Sequence, residues 1–298
     1  MTILRPIARA SEFIGLDRLV DSANRAIGRN GATPGGVGAA VGARSATSTT
    51  VTTLGPSGPS TSIPGRGATT TPGHAVGLPQ PSAADPITVL NVGDSIGEDL
   101  GIGLSDELGS KPAVHFVEDA VGDTGLADAK YYNWPAQLES ELVATHPAIV
   151  TMMFGGNDWQ PFYATATRIA QPGTAFWRQA YGAIVAEMMQ EATSAGARVI
   201  WVGLPIMGPT SQLPTAMAPG LNSVYASEAS SHPGVTYFSS WQLFTTTSGA
   251  YAEYLPDSTG SLVQVRDPDG VHIDPPAGTD LLGAAVVADI EHLYAIHL

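Results

Sequence analysis

No cysteine occurs in the 298 residues. That absence removes thiol nucleophiles, disulfide frameworks and Cys-based metal sites. Cations are scarce too: 13 Lys and Arg stand against 27 Asp and Glu, a formal net charge of −14. The imbalance is uneven. Residues 1–86 hold seven Arg and four acidic residues, whereas residues 87–298 hold six Lys or Arg and 23 acidic residues. So acidic a segment repels phosphate backbones and anionic lipid, which argues against nucleic acid as a partner. No apolar run reaches the roughly 18 residues needed to span a bilayer. The start, Met1-Thr2-Ile3-Leu4-Arg5-Pro6, lacks the basic-then-apolar order of a signal peptide.

What is present falls into three regions. In residues 1–30, Phe13, Leu16, Val20, Ala23 and Ile27 recur in steps of three and four, with Arg18, Asp21 and Arg25 between them. This is the rhythm of a short amphipathic helix, suited to docking on another protein or a surface. Residues 31–86 are dominated by Gly, Ser, Thr, Pro and Ala, and Ser45 to Gly73 contains a single charged residue, Arg66. Such a stretch cannot bury enough apolar surface to offset chain entropy, so a disordered tether is expected. A Ser/Thr/Pro-rich tether suits an extracytoplasmic setting, and the missing signal peptide speaks against one.

Residues 87–298 read as an α/β domain. Strands are expected at 87–92, 113–117, 148–154, 198–204 and 235–238, and helices at 97–108, 134–145, 174–195 and 277–294. Alternation of this kind builds a parallel sheet covered on both faces, with ligands beyond the carboxyl ends of the strands. Residues 241–265 show no strand or helix pattern. They lead directly to Asp269 and are read as a wall facing a substrate.

Four short motifs carry chemistry, three just after expected strands and one before the closing helix. Gly93-Asp94-Ser95-Ile96-Gly97 satisfies G-x-S-x-G and sets Ser95 near a helix N-terminus, where oriented N–H groups favour an anion. Alone, a Ser after a strand is more often a helix cap. Asp269-Gly270-Val271-His272 can bring a carboxylate onto an imidazole within one turn, fixing its tautomer. Gly155-Gly156-Asn157-Asp158 offers the neutral amide of Asn157 to an oxyanion, although Gly-Asn-Asp is also ordinary turn chemistry. Gly122-Asp123-Thr124-Gly125 supplies backbone N–H groups in a similar place. Trp177 and Tyr181, four apart, read as core. Trp159 and Phe162 follow the Asn157 loop and are candidate pocket linings. Asp94 reads as a structural acceptor. The histidines show no metal-ligand spacing, so no metal and no cofactor are expected.

In this order, Gly93-Asp94-Ser95, Gly122, Gly155-x-Asn157-Asp158 and Asp269-x-x-His272 resemble the blocks of the SGNH (GDSL-type) hydrolase superfamily. Thr124-Gly125-Leu126 followed by Trp134-Pro135, then Asn157-Asp158-Trp159-Gln160, Trp177 and Tyr181, resemble a poorly characterised bacterial branch of it. Ile96 departs from the usual Leu. The resemblance implies a three-layer α/β/α sandwich around a mostly parallel five-stranded sheet, of SGNH or flavodoxin-like type. It implies Ser95 as nucleophile, His272 as base and Asp269 as orienting acid. It implies an oxyanion hole from the Ser95 N–H, the Gly122 N–H and the Asn157 side chain, with Gly125 the alternative to Gly122. The expected activity is a serine esterase that removes or transfers a small acyl group, foremost acetyl, on a carbohydrate or cell-envelope polymer. A lipase-like acyl hydrolase and a non-catalytic polymer-binding module are the alternatives. An unperturbed His272 would set a single activating ionisation near pH ~6.5.

Overall fold

The computed structural model describes residues 77–298. The amphipathic helix expected at 1–30, and the tether as far as residue 76, lie outside the described residues.

Apolar runs without alternation form the sheet. β1 (Ile87–Gly93), β2 (Val114–Glu118), β3 (Ile149–Met153), β6 (Arg198–Gly203) and β7 (Val235–Ser239) pair in the order β2-β1-β3-β6-β7, every pair parallel. All five residues of β3 and the last five of β1 are buried, as strands covered on both faces must be. The helices are α1 (Ser95–Leu108), α2 (Trp134–Thr145), α3 (Ala175–Ser194), α4 (Met217–Ser231) and α5 (Ala277–Tyr294). The chain leaves β1 toward β2 and then returns across β1 to β3, β6 and β7. Right-handed crossovers therefore put α1 on one face and α2, α3 and α4 on the other. The packing agrees: α1 lies on α5, α2 on α3, and α3 on α4. This is the three-layer sandwich, with the parallel sheet and its switch point at β1.

The α1–α5 contact depends on small residues. A Cβ on Gly283 would stand 2.4 Å from the carbonyl carbon of Gly103, and one on Gly103 would stand 2.0 Å from the Thr279 carbonyl oxygen. Only glycines let these backbones approach so closely, and both helices border the site.

Four features differ from the sequence expectation. First, the tether was expected to extend to residue 86, but residues 77–86 are built into the domain. Leu78 packs against the core, Ser82 and Asp85 exchange backbone hydrogen bonds of 3.1 and 3.0 Å, and the Gln80 amide donates to the Ala295 carbonyl. That carbonyl sits at the C-terminus of α5, where helix acceptors lack partners. Second, α4 was not expected. Its buried residues, Met217, Ala218, Leu221, Val224, Tyr225 and Ala229, have helical spacing, but Pro219, Gly220 and four serines interrupt the pattern. Third, residues 241–265 are structured. They contain a 3₁₀ turn (Trp241–Phe244) and a hairpin of β8 (Tyr254–Pro256) and β9 (Leu262–Gln264). A second unexpected hairpin, β4 (Phe162–Thr165) with β5 (Arg168–Ala170), follows the Asn157 loop.

Candidate active site

β1 ends at Gly93 and α1 starts at Ser95, so the turn between them is as short as it can be. A Cβ on Gly93 would fall 2.3 Å from the Met153 carbonyl oxygen, which explains glycine there. Asp94, fully buried, is the N-cap. Its Oδ1 accepts the Ile96 N–H at 3.0 Å, while Oδ2 accepts the Gly155 and Gly156 N–H groups at 2.7 Å each. Asp94 thereby ties the Ser95 turn to the loop that carries Asn157, the structural role read from the sequence. Burial pushes its carboxyl up to about 6, against the pull of the three N–H groups.

The last loop before α5 closes on Ser95. His272 Nε2 lies 2.9 Å from Ser95 Oγ, and His272 Nδ1 lies 2.6 Å from Asp269 Oδ2. The other Asp269 oxygen accepts the backbone N–H groups of Val271 at 2.6 Å and His272 at 3.0 Å. The His272 side chain is 18% exposed and that of Asp269 is 41% exposed, so the imidazole is sheltered while its partner borders solvent. Burial disfavours the imidazolium. The bond from Asp269 and the charges of Asp99, Asp269 and Asp94 outweigh that and raise His272 to about 9. Burial likewise opposes ionisation of Asp269, but the bonds from His272 and Val271 prevail and hold it near about 2. The ionisation near pH ~6.5 expected for an unperturbed histidine is thus displaced upward.

Asp99 joins this arrangement, and no motif of the sequence singles it out. It sits one turn beyond Ser95 on α1, and its Oδ2 accepts the Ile273 N–H at 2.9 Å. Helix α1 therefore grips the histidine loop at two points. Burial raises the Asp99 carboxyl to about 7. Only its i,i+4 spacing from Ser95 could have signalled this.

The Asn157 side chain donates to the Thr124 carbonyl at 2.9 Å, which uses one of its two amide hydrogens. Behind it, buried Asp158 accepts the Ala127 N–H at 2.8 Å and the Tyr181 hydroxyl at 2.6 Å. The Tyr225 hydroxyl, 3.0 Å from that of Tyr181, donates to the Phe154 carbonyl. This chain of bonds fixes the loop. The expected oxyanion donor Gly122 is already engaged: its N–H donates to Glu98 Oε1 at 2.9 Å. The carboxylate approaches because Glu98 is one turn along α1 from Ser95. Gly125 is buried between Asp158 and Asn157. Trp159 and Phe162 are half-buried against Trp177, at ring separations of 5.1 and 6.2 Å. Trp177 stacks on Tyr181 at 4.7 Å, and both are fully buried. Among the described residues, no group of three or more His, Asp or Glu is placed to hold a metal ion, and no helix is long and apolar enough to cross a membrane.

Residues 88–289 match the family described as a protein of unknown function, DUF459. The chain belongs to the DUF459 family. Searched against curated protein sequences, it finds no match. Among solved structures it is similar to LAE5, an alpha/beta hydrolase enzyme from the metagenome of Lake Arreo in Spain. The identity is 15%, the TM-score 0.50, and the similarity covers 70% of this chain and 96% of that one. It is also similar to an acetylxylan esterase, Axe2, from Geobacillus stearothermophilus, at 16% identity and a TM-score of 0.48, covering 68% and 94%. TesA gives 22% identity and a TM-score of 0.47, covering 69% and 99%. At these identities the likeness is one of fold.

Proposed function

We propose that this DUF459 protein is a serine acyl hydrolase working through an acyl-Ser95 intermediate. The observation that carries the reading is the continuous relay from Ser95 Oγ to His272 Nε2 at 2.9 Å and from His272 Nδ1 to Asp269 at 2.6 Å. Ser95 Oγ attacks the ester carbonyl carbon and gives its proton to His272. Asp269 holds the tautomer that leaves Nε2 free to accept that proton. The tetrahedral oxyanion is met by the Ser95 N–H, the second Asn157 amide hydrogen, and the Gly122 N–H once Glu98 yields it. Collapse breaks the ester C–O bond, and the leaving alcohol takes the proton from His272. Water, or a second hydroxyl in acyl transfer, then enters by the reverse path.

The preferred substrate is a small acyl ester, foremost acetyl, on a carbohydrate or cell-envelope polymer. Two features support this. Trp159 and Phe162, which follow Asn157 in the chain, pack a bulky aromatic cluster on Trp177. The acidic chain favours a neutral chain of sugars over an anionic one. A Ser/Thr/Pro-rich tether would let such a domain range over a surface polymer. Labelling of Ser95 by a fluorophosphonate probe, followed by an ester chain-length series, tests the reading. Acetyl and propionyl esters are expected to exceed octanoyl in kcat/KM. An unlabelled Ser95 would remove the hydrolase, and a long-chain preference would leave a lipase-like enzyme.

A further inference from the structure

Arg266 is the one fully buried cation among the described residues. No carboxylate oxygen of the described residues lies within ion-pair distance of it; its N–H groups go to carbonyls instead. Nε donates to the His272 carbonyl at 3.1 Å, and Nη2 donates to those of Val271 at 2.8 Å and Gly270 at 3.4 Å. Nη1 donates to the Ile206 carbonyl at 2.5 Å. The guanidinium carbon lies 5.3 Å from the ring centres of both Phe244 and Tyr251. Burying a charge without an ion partner is costly, and a planar fork of five donors offsets that cost only where several acceptors converge.

Here the acceptors are three successive carbonyls of the turn that carries His272. The N–H groups of the same turn, at Val271 and His272, go to Asp269. The turn is thus bound through its N–H groups by Asp269 and through its carbonyls by Arg266. The fourth bond, to Ile206 just past β6, fastens it to the carboxyl edge of the sheet. The Gly270 carbonyl also accepts the Gly208 N–H at 2.7 Å and the His272 carbonyl the Asp267 N–H at 3.0 Å, and to these backbone ties Arg266 adds a side chain that bridges all three carbonyls to Ile206.

We propose that Arg266 is a positioning residue, which holds the His272 imidazole at Ser95 by clamping the carbonyls of residues 270–272. The role rests on the acyl-hydrolase reading for its catalytic consequence, but not for its structural one. Arg266→Met and Arg266→Lys in the full chain test both. In Arg266→Met, kcat for a short ester is expected to fall about 100-fold with KM nearly unchanged, the loss that a displacement of about 1 Å produces. Arg266→Lys keeps the charge but not the fork, so it should recover part of the loss and remain about tenfold below wild type. Proton NMR gives a readout independent of turnover. The low-field Nδ1–H resonance of His272, bonded to Asp269, should be present in the wild type, shifted in Arg266→Lys and lost in Arg266→Met. Wild-type kcat and an unmoved resonance in Arg266→Lys would overturn the proposal, even if Arg266→Met fails to fold. A resonance that responds to Arg266 in a protein that turns over no ester would sustain the clamp and overturn the hydrolase.

Discussion

Ser95 and His272 are 177 positions apart in sequence and 2.9 Å apart in space, so in the proposed mechanism they act as one unit. Ser95→Ala or His272→Ala is expected to lower ester turnover by at least about a thousandfold, as members of one relay do. Steady-state kinetics with an acetyl ester measures this, and near-normal turnover in Ser95→Ala would reject the nucleophile. Asn157→Ala should lower kcat by about 10²–10³ with little change in KM, because the oxyanion exists only in the transition state. A change confined to KM would make Asn157 a ground-state contact. Glu98 lies outside the four sequence motifs. Its carboxylate now holds the Gly122 N–H and would compete with a developing oxyanion. Glu98→Gln weakens that competing bond by about 1 kcal/mol, so kcat should rise by roughly fivefold. A decrease would instead mark Glu98 as a support for the Gly122 turn.

Two helices bring these residues together. α1 begins at Ser95 and α5 begins five residues after His272, and they touch at Gly103 and Gly283. Gly283→Val would push the backbones apart. A destabilisation of about 1–3 kcal/mol is expected from such overpacking, read from urea unfolding. Since the wedge also separates Ser95 from the histidine loop, kcat should fall with stability. Unchanged kcat at reduced stability would show that the loop is held independently of α5. The elements that escaped the sequence reading share a cause. α4 is interrupted by Pro219 and Gly220, while β4, β5, β8 and β9 are three or four residues long. Strands so short offer too few alternations to declare a period, and they exist because a partner strand completes them.

At the scale of the whole molecule, activity and stability should move in opposite directions with pH. His272 must be neutral to accept the Ser95 proton, so kcat should climb toward pH about 9. Meanwhile burial raises Asp94 to about 6 and Asp99, Glu118 and Asp158 to about 7 each. A raised carboxyl stabilises the fold fully below its ordinary value near 4, and that contribution is lost as pH rises through 6 to 7. His272 acts in the same sense: its contribution is present below 6.5 and lost through about 9. Asp269 acts oppositely, but only as pH falls through about 2. Calorimetry from pH 4 to 9 should therefore show Tm falling while kcat rises, and a flat Tm would refute the buried-carboxyl account. The composition of residues 31–76 also predicts proteolytic cleavage there. The product should start near residue 77 and retain activity. Loss of activity on cleavage would assign the N-terminal region a part in the site.

The sequence by itself determined which candidate residues the proposed chemistry draws on and their order along the chain. Ser95, Asn157, Asp269 and His272 were legible because each stands beside glycines at an element end, where a parallel sheet exposes its carboxyl edge. The Asp269–His272 bond was legible because three residues in one turn suffice to form it. Tertiary structure decided what depends on residues far apart in the chain. It alone placed Asp94 under the Gly155 and Gly156 N–H groups, Glu98 on Gly122, Asp99 on Ile273 and Arg266 beneath the histidine turn. It also shaped the histidine's proton affinity, because burial of the ring and the charges of Asp99 and Asp94 act beside the Asp269 bond. An acidic residue in a helix or an arginine in a loop carries no mark of its partners; those follow from how strands and helices pack.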